Sequence, residues 1–515
     1  MFFWIVAAGA AALLLLRLGA PALIDPDEAR FARTTVEMVR SGDLVVPTFE
    51  GAPRVVKPPL LHWAQAAFYR LLGPGGPFAR LPAALATLGA LFLVAWVARR
   101  RFGEEGAAWA AAIFITTPLV VVLGRLGTID ALLSVHVFAA LAIDMAEYGE
   151  TGPNRGAVIG ALLGLAFLAK GPVGVVLPLL MILAGRTAAG RNVVPHGRAV
   201  LGFAAGLLVA LPWGAVFVKR LGTERVVDTF RTEVLERYFA GTDHVQPAWY
   251  FAAVVVVAFS PWVGPLVVAL VRAISLRRDP VARTGLYAAG AFLAALLFFS
   301  LGRGKLPQYI LPAAPLAALL VTWELGQALS APRERRTGAL LLTGALFTEA
   351  IVLGAIAAVF PMPAARVTAC IAAVAFGIGG LAALWGLLGQ RPRVVYGTAA
   401  AAGAVLLLTS VLVLHPAVAS YRSTAGLVEE VAELGGDRPL VVVDIRLPSL
   451  TYYLDRVPEA IARDDIDSRL DRDDSPILVI ALADLERIPR TTLARLREIG
   501  RSGKLRAFAE IDLAG

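Results

Sequence analysis

Apolar runs of about twenty residues, the length an α-helix needs to cross a bilayer, recur along most of this chain. They fall near residues 2–24, 79–98, 107–124, 131–148, 156–170, 172–185, 199–218, 249–271, 284–301, 308–329, 337–360, 366–389 and 395–415, thirteen in all. The fifth and sixth are short and poorly separated. Polar residues bunch between the runs. The basic clusters at 99–101, 186–198, 272–283, 333–336 and 391–393 all fall on one side of the count. The positive-inside rule makes that side the cytoplasm. The N-terminus then starts inside, and an odd number of crossings puts residues 417–515 outside.

Two stretches break the apolar pattern at length. In residues 25–62, Asp25 can cap a helix, Pro26 suits its first position and Glu28 completes a capping box. Ala29, Phe31, Val36, Met38 and Val39 give the helix an apolar face that ends near Ser41-Gly42. It is too short and polar to span, so it is expected to lie along the membrane surface. A second short helix is expected over 60–72, after the Lys57-Pro58-Pro59 break. From about Ser423 the composition changes. A helix over 427–434, strands over 440–445 and 476–482, a helix over 491–499 closed by Gly500, and a strand over 505–511 predict a small α/β domain. The expected division is a membrane domain over 1–416, with juxtamembrane helices in 25–78, and an outer α/β domain over 417–515. That outer domain reads as an accessory lid or acceptor platform, or otherwise as structural.

Composition agrees with the pattern. A chain of 515 residues with 58% hydrophobic and 17% charged residues and mean hydropathy +0.71 is a polytopic membrane protein. The net charge of +9 sits in the loop clusters that topology explains, which argues against nucleic acid as a partner. The single cysteine, Cys370, lies in an apolar run and excludes an internal disulfide or a cysteine metal site. The first run lacks a basic leader and a clear cleavage site, so it reads as a spanning helix rather than a signal peptide.

Nearly every unusual polar residue before the last domain falls on the outer side, and such residues beside a membrane carry a functional hypothesis by default. Asp27 and Glu28 stand at the first membrane exit. They either cap a helix or hold a carboxylate within hydrogen-bond reach of an acceptor's proton. Asp130 follows Thr128 in another outer turn, with the same two readings. Lys57 and Lys170 either snorkel or seek an anion. Residues 302–309, Gly-Arg-Gly-Lys-Leu-Pro-Gln-Tyr, put Arg303 and Lys305 on a flexible backbone suited to phosphate. Two acids and several cations at one face point to transfer chemistry on a phosphate-bearing lipid.

In order and in position relative to the spans, these pieces resemble the GT-C membrane glycosyltransferases, in particular the group with the lipid A aminoarabinose transferases and protein O-mannosyltransferase relatives. The likeness rests on Asp27-Glu28-Ala29-Arg30-Phe31, Ser41-Gly42-Asp43 with Pro47, Lys57-Pro58-Pro59 with Trp63, Asp130, Lys170-Gly171 and the Gly304 to Pro312 segment. It implies a GT-C fold of about thirteen transmembrane helices with a small periplasmic α/β domain. It also implies a polyprenyl-phosphate sugar donor, inversion at the anomeric carbon, and a lipid, glycan or protein acceptor. Carried over by position, Asp27 activates the acceptor with Asp130 in support. Lys57, Arg30 and Tyr309 contact the donor phosphate, followed by Lys170 and Lys305. Val56 stands where the aminoarabinose transferases carry a metal-binding Glu, while His244 matches the partner histidine, so a divalent metal stays open. Phe31 replaces a common Tyr. The expected location is a bacterial inner membrane, with the active site and last domain facing the periplasm. The rival readings are a transporter or flippase of lipid-linked sugars, for which no internal repeat is evident, and a non-catalytic scaffold whose acids only cap helices.

Overall fold

The computed structural model describes residues 1–146, 153–192, 197–240, 244–275, 282–435, 438–472 and 474–510. Among them, seven helices are long and apolar enough to cross a membrane: Gly76–Ile115, Val200–Leu221, Arg283–Leu301, Pro307–Ser330, Thr337–Val359, Pro363–Leu388 and Pro392–Tyr421. Three shorter apolar helices, Phe2–Leu15, Val173–Ala188 and Val263–Ser275, join them. The chain is a multi-pass membrane protein. The expected basic residues Arg277 and Arg278 and the strand end at 511 lie outside the described residues.

Some expected runs are reshaped for physical reasons. The first helix stops at Leu15, well short of residue 24. Buried carbonyls left by an interrupted helix need donors, and here two arginines from later in the chain supply them. Arg125 donates to the carbonyls of Leu13 (2.7 Å), Leu14 (2.9 Å) and Leu16 (2.9 Å). Arg80 donates to those of Leu18, Pro21 and Ala22 at 2.7–2.9 Å. The run over 249–271 is likewise two helices, Tyr250–Ala258 and Val263–Ser275, because Pro261 lacks the N–H a continuous helix requires. Gly103, with φ 75°, separates the second and third expected spans, 79–98 and 107–124, inside Gly76–Ile115.

The chain forms two compact units. The first comprises Met1–Leu16, Val55–Leu61 and Leu81–Val413. It is the helical bundle, with Trp262, Tyr287, Phe292, Phe376 and Tyr396 fully buried among its helices.

The second unit gathers Arg17–Arg54, His62–Arg80 and Leu414–Gly515. Its five-stranded sheet runs Glu459–Ile461, Leu440–Val443, Ile477–Ala481, Leu505–Glu510, Leu496–Ser502. The first three strands are parallel, and Leu505–Glu510 runs antiparallel to both its neighbours, Ile477–Ala481 and Leu496–Ser502. Strands Leu440–Val443 and Ile477–Ala481 are buried on both faces, as central parallel strands should be. The expected helix over 491–499 is corrected: only Arg490–Leu493 is helical, and Leu496–Ser502 is the edge strand paired with Leu505–Glu510. Cross-strand pairing beyond the tight turn at Gly503 overrides the local helical pattern.

Both predicted short helices are present: Asp27–Ser41, ended by a left-handed Gly42, and Leu60–Leu72, which belongs to this unit from His62 on. The predicted cap differs. Asp25 makes no cap; its carboxylate accepts from the Ser449 N–H (2.8 Å) and the Ser449 hydroxyl. Glu28 instead reaches back to the Ile24 N–H at 2.9 Å. The short helix Pro448–Leu454 supplies further contacts to the early segment. Tyr453 Oη accepts from Leu23 N–H (2.8 Å), Thr451 donates to Glu50 (2.9 Å), and Asp455, just past its end, pairs with Arg33 and Arg40. An apolar cluster of Leu23, Ala29, Ala32, Val36, Tyr69 and Ala79 underlies these bonds.

Candidate functional site

In the bundle, a cavity of about 360 Å³ is lined by Lys57, Lys170, Glu233, Tyr238 and Tyr309 against a mostly apolar wall that includes Val173, Val176, Phe230, Phe298 and Phe299. Each cation is set by local structure. Lys170 ends the helix Pro153–Lys170, where the dipole favours positive charge. Its Nζ lies 2.6 Å from Asp130 Oδ1 and 4.5 Å from the centre of the Tyr309 ring. Asp130 begins the helix Asp130–Ala146 and is 5% exposed, so its charge is held at a favourable N-terminus behind Lys170. Lys57 sits 3.7 Å from Glu233. Tyr309 lies on the irregular turn Pro307–Ala313, its ring against Phe299.

The glycine-rich segment ahead of that turn is held by a single antiparallel bridge, Val245 to Gly304. Lys305 N–H donates to His244 O (3.0 Å), Gln246 N–H to Arg303 O (3.2 Å) and Arg303 N–H to Tyr238 O (2.8 Å). A side chain on Gly302 would come 2.9 Å from the Tyr238 ring, so close approach fixes that glycine. Lys305 does not line the cavity. It is 3% exposed, with Nζ 2.9 Å from the Gln246 carbonyl, and burial lowers its pKa. His244 is exposed with φ 54°, and among the described residues no group of three His, Cys, Asp or Glu side chains is placed to hold a metal. The residues described here do not fit the divalent metal that the resemblance left open.

The second unit holds Asp27, Glu28 and Arg30 on the helix Asp27–Ser41. Asp27 keeps 54% of its side chain exposed, with Arg30 3.6 Å away. Glu28 differs completely. It is 2% exposed and receives Arg80 through Nε (2.7 Å) and Nη2 (2.8 Å). Both Glu28 oxygens are taken up by contacts within the fold, to Arg80 and to the Ile24 N–H. In the same unit, burial together with the nearby Arg54 holds His62 down to about 3, a neutral ring 2.8 Å from Thr35. Burial pushes Asp25 up to about 6, against the opposing hydrogen bonds from Ser449.

The sequence reading missed Glu233, Arg80 and Arg125. A lone arginine at the start of an apolar run, as in Phe78-Ala79-Arg80-Leu81, was the available signal, since a charge there needs several partners.

With this geometry in hand, the likeness to known proteins is specific. The family described as dolichyl-phosphate-mannose-protein mannosyltransferase matches residues 56–215. An undecaprenyl phosphate-alpha-4-amino-4-deoxy-L-arabinose arabinosyl transferase from Edwardsiella ictaluri is 30% identical over 321 residues, 60% of this chain and 57% of that one. A protein of the same name from Pseudomonas fluorescens is 33% identical over 319 residues, 59% of this chain and 56% of its own. The matches thus span little more than half the length of these relatives. The crystal structure of ArnT from Cupriavidus metallidurans bound to undecaprenyl phosphate superposes with TM-score 0.80 at 24% identity, covering 99% of this chain and 98% of that one. This chain has the GT-C fold. The GT-C oligosaccharyltransferase of Archaeoglobus fulgidus shares it at TM-score 0.50 and 12% identity, over 99% of this chain and 74% of its own. The GT-C likeness is aminoarabinose-transferase-like, as the motifs in the first 312 residues led one to expect.

Proposed function

We propose that this protein is an inverting glycosyltransferase that moves one sugar from a polyprenyl phosphate to a lipid, glycan or protein acceptor outside the cytoplasm. The observation that carries the reading is the cavity of about 360 Å³, apolar along its wall, with Lys57, Lys170 and Tyr309 in its lining. That chemistry suits an isoprenoid phosphate: the wall takes apolar chain and the ammonium groups take the anion. The names of the relatives, which specify an undecaprenyl phosphate sugar donor, support it.

In the proposed reaction an acceptor hydroxyl or amine attacks the anomeric carbon while the bond from that carbon to the phosphate oxygen breaks. The electron pair leaves with the phosphate, and the acceptor's proton passes to a carboxylate. We assign the proton to Asp27, the exposed member of the first-loop acid pair. We assign the leaving phosphate to Lys57, Lys170 and Tyr309, where fixed positive charge meets charge developing in the transition state. Asp130 then acts through Lys170, which it holds at 2.6 Å. Arg30, beside Asp27, orients it; a phosphate role for Arg30, and one for Lys305, is carried by the resemblance alone. The reading makes residues 417–515 a periplasmic domain and residues 1–416 the catalytic domain, in a bacterial inner membrane with the active site facing the periplasm.

Native mass spectrometry of the purified protein tests the donor half. A retained polyprenyl phosphate that is lost in Lys57→Ala supports the assignment. Retention of bulk phospholipid alone, the same in both proteins, overturns it.

A further inference from the structure

A second cleft, of about 520 Å³, opens in the bundle between the helix Val263–Ser275 and the start of the helix Thr337–Val359. These helices pack closely at Gly264, where an added Cβ would lie 2.7 Å from Leu341 Cβ. The cleft occupies the loop side of that crossing, at the end of the bundle that carries basic clusters. One wall is apolar and open sideways, with Val267 48% and Val271 59% exposed. The polar side holds Arg272 and Arg335, with Ser275 and Thr337 at the mouth.

One guanidinium is anchored on a carboxylate and the other on a side-chain amide. Arg272 commits Nη1 to Glu324, and Arg335 commits Nη1 to Gln327. Glu324 is fully buried on the helix Ala314–Ser330 and anchors Arg272 from behind. Each planar fork has five N–H donors, so nitrogens remain on both for a phosphate, and the N-terminal turn of Thr337–Val359 adds its dipole. A soluble anion would have no use for the open valine wall. A phospholipid uses both halves, with its headgroup on the arginines and its acyl chain along Val267 and Val271.

We infer that this cleft is a binding site for the phosphate headgroup of an anionic phospholipid from the leaflet on the basic-loop side of the membrane, the placement expected of basic pockets between transmembrane helices. The site is separate from the cavity assigned to the sugar donor and does not depend on that assignment.

The test uses full-length protein stripped of lipid in detergent and titrated by native mass spectrometry with phosphatidylglycerol, phosphatidylcholine or inorganic phosphate. Phosphatidylglycerol is expected to bind at least tenfold tighter than phosphatidylcholine. Arg335→Gln is expected to weaken it at least fivefold while leaving the melting temperature and retained polyprenyl phosphate unchanged. Because Arg272→Ala alone strands Glu324, the second variant is the paired Arg272→Met, Glu324→Leu, expected to show the same selective loss. Equal binding of the two lipids overturns the proposal. So does phosphatidylglycerol binding that neither variant changes, or competition by millimolar inorganic phosphate as strong as that by the lipid.

Discussion

The two places where this protein gathers charge use it in opposite ways. In the unit formed by the first loop and the last domain, Glu28 and Arg80 are 2% and 0% exposed, and the arginine spends its remaining nitrogens on three backbone carbonyls. Every direction of that ion pair is satisfied from within. In the bundle, the Asp130–Lys170 pair is also close, at 2.6 Å, but Lys170 lies in the lining of an open cavity and over the Tyr309 ring. One pair closes a structure and the other presents a cation. The difference teaches that burial and ion pairing alone do not separate architecture from chemistry; what a charged group faces on its remaining side does.

The sharpest way to break that comparison is at the adjacent acids. Asp27→Asn is expected to lower turnover by about 10²–10⁴-fold, the range for a lost general base, with the melting temperature and polyprenyl-phosphate binding unchanged. Glu28→Gln is expected to do the reverse. It leaves Arg80 buried with an uncompensated charge, a loss of about 3–5 kcal/mol of stability, read as a lower melting temperature before any change in turnover per folded molecule. If Glu28→Gln instead folds normally and is inactive, the assignment of this pair to architecture fails.

Smaller effects are expected at the cavity. Lys57→Ala and Lys170→Ala each remove one charge-assisted contact to a phosphate, worth about 1.5–3 kcal/mol, or roughly 10–100-fold in affinity for the polyprenyl phosphate. Asp130→Asn is expected to weaken binding less than Lys170→Ala, since it displaces the cation without deleting it. Equal affinity in all three proteins would separate the cavity from the donor.

How much of this was legible in the chain follows the same divide. The apolar runs, the helix ending at Gly42 and the helix Leu60–Leu72 were readable because each is written in neighbouring residues. So were the buried strands at 440 and 477, whose continuous Val, Ile and Leu runs need no partner to be recognised. Of the cavity lining, Lys57 and Lys170 were legible as cations beside a membrane, while Tyr309 was reached only through the family resemblance. What was not legible depends on long-range partners. Asp25 looked like a helix cap until Ser449, 424 positions away, claimed its carboxylate. Residues 491–499 have a helical pattern locally, yet the pairing of Leu496–Ser502 with Leu505–Glu510 satisfies its backbone better. Arg80 and Arg125 gave no hint of which carbonyls they would serve, because those carbonyls are exposed only when the first helix stops at Leu15.

The smallest expected effect sharpens the comparison from inside the first-loop unit, where the buried His62 and the partly buried Asp25 titrate in opposite directions. His62 is kept neutral, with its pKa lowered from 6.5 to about 3, so the folded state binds its proton less readily than the unfolded chain. The stability it contributes is present above pH 6.5 and is lost as pH falls toward 3, by up to about 1.4 kcal/mol per pH unit. Asp25 runs the other way. With its pKa raised from 3.8 to about 6, the stability it contributes is present below pH 3.8 and is lost as pH rises through 6. Between these limits the two slopes oppose each other, so the wild-type melting temperature should vary little from pH 6 to 4 on their account. His62→Gln removes the acid-side loss and should make the protein relatively more stable on acidification. Asp25→Asn removes the acid-side gain and should make the melting temperature fall more steeply over the same range. Melting curves of the three proteins at half-unit pH steps check both signs at once. Parallel curves for all three would mean that neither group is as buried in solution as it is here, and that the fastening of the first loop to the helix Pro448–Leu454 rests on the Asp455 ion pairs with Arg33 and Arg40 instead.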